Sequence, residues 1–180
     1  MNQLTQKRNE KFKTATKSER AVMVAKDALS MLGKGKIAAS VGRWAELPIS
    51  IFDGVEPEDE ENIQICDLTD SESFNGCKTC ALGALMLSEI RHTNKLALSD
   101  VCSSIEYDQH GHRLNKVFSL AQQKMMEYAF EGGSGYFYSD DIPSNQISKL
   151  DDFYEKYPGK TDRLRAILKN VIKNNGKFVV

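Results

Sequence analysis

At 180 residues, with 41% apolar and 27% charged side chains, 12 Gly and 4 Pro, the chain has globular composition, which excludes collagen-like, mucin-like and wholly disordered classes. A chain of this size buries roughly 70% of the surface its unfolded form exposes, so it needs no disulfide or metal staple to fold. The formal charge of −1 says little as a total.

The longest uncharged apolar run, Cys80 to Leu87, is too short to span a bilayer. Lys7, Arg8, Lys11 and Lys13 are followed by no apolar block, unlike a secretory signal. A soluble, cytoplasmic protein with no membrane partner is expected.

Residues 1–15 are polar and basic without a period, and read as a flexible basic arm. Thr16-Lys17-Ser18-Glu19 fits a capping box, in which hydroxyl and carboxylate each satisfy an orphan backbone N–H. Ala21, Val22, Ala25, Ala28, Leu29 and Leu32 then share one helical face, and Gly33 supplies the stop. Residues 36–52 resist a helical reading: Ile37, Ala39 and Val41 alternate, as do Ile49 and Ile51. Two short strands or extended segments are expected there, with Trp44 packed between them. Ile63 and Ile65 alternate again and suggest a third strand, after an acidic loop near 53–62.

Asn75-Gly76 precedes a helix expected from Cys77 to about Arg91, apolar over most of its circumference and therefore central to the core. Gly83 within it suggests that another chain segment approaches closely. Residues 96–105 read as a short helix or turn. Ser119 to Gln122 matches another capping box, opening a helix that stops at Gly132-Gly133. Ile147, Leu150, Phe153 or Tyr154, and Tyr157 mark an aromatic helix ended by Pro158-Gly159. Leu164, Ile167, Leu168, Val171 and Ile172 form a last stripe, with Asp162 and Lys173 placed to suit the helix dipole. The fold class expected is mainly α, an α+β arrangement with a small two- or three-stranded β element, forming a single compact helical domain over 16–180.

Charge is balanced in total but not along the chain. Residues 1–36 hold nine Lys or Arg against three acids, and residues 156–180 hold seven against one. Between them, residues 45–76 hold ten acids and no Lys or Arg. Asp53, Glu56, Glu58, Asp59, Glu60 and Glu61 form the densest part, read either as a solvated loop or as a negative patch for a basic partner surface. Patches of that kind act mainly on association rate and partner choice, and weaken with salt.

Four cysteines, 66, 77, 80 and 102, offer the one spacing with chemical content, Cys77-Lys78-Thr79-Cys80. Without a secretory signal, structural disulfides are not expected. A Cys-x-x-Cys at a helix N-terminus can stabilise a thiolate for redox chemistry. It can also form half of a zinc site, completed by Cys66, Cys102, His92, or His110 and His112, whose alternation in an extended segment would put both imidazoles on one side. The preferred reading is packing, since Cys behaves as a small hydrophobe and Cys80 sits among Ala81, Gly83 and Ala84. No cofactor is expected, with zinc as the alternative. Phosphate-binding glycine loops, a calcium loop at Asp70 and a Gly-x-Ser-x-Gly nucleophile elbow were sought, and the residues do not fit them.

Gly76-Cys77-Lys78-Thr79-Cys80-Ala81-Leu82-Gly83-Ala84-Leu85-Met86-Leu87-Ser88 resembles a motif in uncharacterised small proteins of bacteriophages and their hosts. The segments Met125 to Gly132 and Asp162 to Gly176 resemble parts of the same proteins, so the resemblance covers about a third of the chain. It implies a phage or prophage accessory protein, a class often inhibiting host defence or host machinery, and it assigns no catalytic residue. The expected function is therefore non-enzymatic binding of a host protein or complex, or of a small signalling nucleotide, with direct nucleic-acid binding not expected. The alternative is a zinc-binding or thiol-redox protein centred on Cys77 and Cys80. A third reading, transcription regulation, would use the basic residues Arg163, Arg165, Lys169 and Lys173 of the last helix.

Overall fold

The computed structural model describes residues 3–93, 95–101, 104–133 and 142–180. Eight helices and a three-stranded sheet are formed by them: α1 (Gln3–Thr14), α2 (Lys17–Gly33), β1 (Ile37–Ala39), β2 (Ala45–Glu46), α3 (Ile65–Asp70), β3 (Cys77–Thr79), α4 (Ala81–Thr93), α5 (Tyr107–His110), α6 (Leu120–Glu131), α7 (Ser144–Lys156) and α8 (Lys160–Lys173). The mainly helical domain with a small sheet is as its sequence predicts. Among the described residues no helix is long and apolar enough to cross a membrane.

Helix α4 is the axis of the fold. Every residue from Ala81 to His92 is buried, as expected for a helix apolar on nearly all sides. Around it pack α1, α2, α3, α6 and the sheet. Trp44 explains Gly83. A Cβ at that position would lie 1.3 Å from the Trp44 carbonyl oxygen, so the chain following β1 crosses α4 where a side chain is missing.

The sheet order is β1-β3-β2, with β3 parallel to β1 and antiparallel to β2. In β3, Cys77 and Thr79 face the core and Lys78 faces solvent. This corrects two expectations. The helix expected to start at Cys77 starts at Ala81 instead, because residues 77–79 pair with both neighbouring strands. The third strand expected at Ile63 and Ile65 is reduced to one antiparallel bridge, Gln64 to Ala97, before α3 begins at Ile65. At the other end of α3, Lys36 Nζ donates to the Thr69 and Ser71 carbonyls at 2.6 and 3.0 Å and so satisfies the helix end.

Helix α2 carries the predicted capping box: Thr16 accepts from the Glu19 N–H and the Glu19 carboxylate accepts from the Thr16 N–H. Helix α6 is capped by Ser119 and stops at Gly132 in the left-handed region. Gln122, expected to complete a second capping box, instead reaches the tail: its Nε2 donates to the Phe178 carbonyl at 3.1 Å and its Oε1 accepts from the Phe178 N–H. Asn170 holds Val179 in the same two-way manner, and Phe178 is buried.

The largest departure is at residues 1–15. They were expected to form a flexible arm, yet residues 3–14 are helical and dock on α4. Phe12 is buried and stacks on His92, with ring centroids 5.0 Å apart and 12° between planes. The Arg20 guanidinium covers its other face at 5.5 Å. Arg8 donates to the Arg91 carbonyl and pairs with Asp70 at 3.0 Å.

Candidate functional site

The acidic segment follows β2 as a series of single turns, with short 3-10 stretches at Ile49–Ile51 and Pro57–Asp59. Backbone bonds link Asp59 to Glu56, Asn62 to Asp59 and Ile63 to Glu60. Buried Ile51 and the partly buried Phe52, Val55 and Ile63 pin the segment to the core. With the apolar side chains turned inward, the carboxylates are turned out: Asp53, Glu56, Glu58, Asp59 and Glu61 are exposed and Glu60 is half-buried. None of the six forms an ion pair with a described residue. Several acids elsewhere are paired. Asp27 and Asp70 hold Arg91 between them at 2.8 and 2.5 Å, Glu89 holds Arg113 at 2.7 Å, and Glu46 bridges to Lys78 across the sheet at 3.0 Å.

The internal pairs behave as buried pairs do. Burial pushes the Asp70 carboxyl up, but Arg8 and Arg91 together outweigh it and hold it below the ordinary range. For Glu89, burial outweighs Arg113 and the carboxyl is raised. His92 is pushed down to about 4 by burial, so the imidazole stacked on Phe12 is neutral near pH 7.

The cysteines are placed for packing. Cys66, Cys77 and Cys80 are buried thiols, and Cys102 lies outside the described residues. Cys80 sits at the start of α4, where its Sγ accepts from the Gly83 N–H at 3.3 Å and its carbonyl accepts from Ala84. The thiol thus does the work of an N-cap. Burial pushes the Cys66 and Cys77 thiols up to about 12 and the Cys80 thiol higher still. A reactive thiolate needs the reverse, a lowered pKa and access. The helix terminus that sequence reasoning credited with activating Cys77 lies three residues beyond it.

His110 and His112 are not in an extended segment. They fall in α5 and the following 3-10 turn (Gly111–Lys116), with His110 half-buried and His112 exposed. Among the described residues no group of three His, Cys, Asp or Glu side chains is arranged to hold a metal, so Cys66, Cys77, Cys80, His110 and His112 do not converge as a ligand set. Of the basic residues of α8, Arg163 is buried and stacks over the Tyr154 ring at 3.8 Å, which removes it from any solvent-facing recognition row.

Compared with known proteins, the chain matches no family model, no curated protein and no solved structure. The densest run of surface carboxylates without an ion pair to a described residue is the acidic segment. Sequence reasoning found the acidic segment through its charge run. It missed the buried Asp27-Arg91-Asp70-Arg8 chain, whose members are far apart in sequence and carry no local signature.

Proposed function

We propose that the protein acts without catalysis, as a phage-type accessory protein that binds a basic surface of a host macromolecule, a protein or protein complex. The observation that carries this reading is the state of the six carboxylates between Asp53 and Glu61. They are held outward on anchored turns with no cation of their own among the described residues, while Asp27, Asp70 and Glu89 are committed to internal pairs. Six adjacent unpaired carboxylates repel one another, and a cationic partner removes that repulsion. The resemblance of residues 76–88, 125–132 and 162–176 to small phage proteins supports the host context, and inhibition of a host defence or enzyme is the role this implies.

Affinity capture from bacterial lysate tests it, comparing the native chain with a variant in which Asp53 and Asp59 become Asn and Glu56, Glu58, Glu60 and Glu61 become Gln. A partner retained at about 0.05 M salt, lost at about 0.5 M, and absent with the neutralised variant is the expected result. A partner held equally by both chains would show that the acidic segment is not the binding surface.

A further inference from the structure

Beneath α1, beside the end of α4 and the 111–116 turn, lies a cavity of about 200 Å³. Five of its lining side chains are cationic, Lys13, Arg20, Lys95, Arg113 and Lys116, against the single carboxylate of Glu89. The two guanidiniums are fixed in place. Arg20 donates to the Phe12 and Lys13 carbonyls at 2.9 and 2.8 Å, tying it to the end of α1. Arg113 donates to Glu89 at 2.7 Å, to the Thr93 hydroxyl at 2.7 Å and to the Lys95 carbonyl at 3.2 Å. The Glu89 charge is therefore matched within the wall.

The three lysines are different. Lys13, Lys95 and Lys116 are exposed, and none forms an ion pair with a described residue. They come from α1, the loop after α4 and the 3-10 turn, so it is the tertiary fold that gathers them. His112 adds a ring to the same rim. The excess of positive charge is drawn to one concave point, where low-dielectric walls strengthen its field.

We infer that this cavity binds the phosphate group of a small phosphorylated molecule, with Lys13, Lys95 and Lys116 on the phosphate. A polymer backbone is less suited. Nucleic acid is tracked by a stripe of cations, whereas these converge on a recess smaller than the roughly 300–1,000 Å³ of drug-sized sites. The inference is independent of the acidic segment.

Calorimetric titration of the full chain tests it with inorganic phosphate, glycerol 3-phosphate, adenosine 5′-monophosphate, adenosine and a short DNA duplex. The phosphorylated small molecules are expected to bind with one-to-one stoichiometry below about 1 mM, and adenosine is expected not to bind. The double variant Lys13→Ala, Lys116→Ala should lose on the order of tenfold in affinity, with Lys169→Ala, on the exposed side of α8, unchanged. Binding by the duplex alone, affinity unchanged in the lysine double variant, or no saturation by any phosphorylated probe would overturn the inference.

Discussion

At the scale of single residues, the fold turns on a few side chains whose environment reverses their usual behaviour. Gly83 is the sharpest case. The Trp44 carbonyl occupies the space of its Cβ, and backbone cannot give way as a flexible side chain can. Gly83→Ala should force the segment between β1 and β2 off α4, destabilising the protein by several kcal/mol, at or beyond the roughly 1–3 kcal/mol typical of overpacked cores. Urea denaturation would measure it.

His92 makes a pH prediction. Its folded pKa of about 4 lies below the usual value near 6.5. The unfolded chain therefore takes up the proton first as pH falls. Stability attributable to His92 is fully present above about pH 6.5 and is lost progressively as pH falls towards 4, by about 3 kcal/mol at most. His92→Phe keeps an aromatic ring against Phe12 and should flatten stability between pH 6.5 and 4. Asp70 acts lower on the scale: its carboxyl is held below the ordinary range, so its contribution is present above about pH 4 and disappears in stronger acid. The cysteines yield a third expectation at this scale. Cys66, Cys77 and Cys80 should resist thiol alkylation at pH 8 in the native state and react on unfolding, as peptide mapping of the labelled sites would show. Rapid native labelling at Cys77 would restore the redox reading.

At the scale of elements, α1 is a docked structural helix. Its composition hides this, because ten of its twelve residues are Gln, Lys, Arg, Asn, Glu or Thr. What fixes it is Phe12 between His92 and Arg20, with Arg8 reaching both Asp70 and the α4 backbone. Phe12→Ala should cost about 3–5 kcal/mol, the range for a buried aromatic, where an undocked arm would show almost no change in thermal unfolding. The tail after α8 is held by the same kind of device: the Gln122 and Asn170 amides pair with its backbone as a strand neighbour would.

At the scale of the whole molecule, charge is sorted by depth as well as by position. Acids near the α4 axis are neutralised by arginines, while those of residues 53–61 are turned outward without partners. Neutralising the six should therefore leave the melting temperature unchanged or raise it slightly at low salt, because only repulsion is removed. A loss of several degrees would mean that these carboxylates hold the fold rather than face a partner. The acidic segment and the lysine-rimmed cavity are two separate surfaces, and binding at each can be assayed without the other.

Much of the architecture was legible in the chain itself. The Thr16 and Ser119 caps, the Gly132 stop, the apolar stripes of α2 and α8 and the enveloped character of α4 are local patterns, set by backbone hydrogen bonding and helical period. Gly83 even signalled a close approach. The errors share a cause. Residues 77–79 are a strand because β1 and β2 flank them, and Ile63-Ile65 is not one because its antiparallel pairing with residues 96–98 stops at the single Gln64–Ala97 bridge before α3 begins. Residues 3–14 stay helical because α4 offers His92 and Arg91 to dock against. Each of these depends on a partner distant in sequence. The sequence alone settled a mainly helical domain with segregated charge, since composition and periodicity are properties of the chain. Only the tertiary structure decided which charges were neutralised inside and which were left for a partner, because pairing depends on distances that no local pattern encodes.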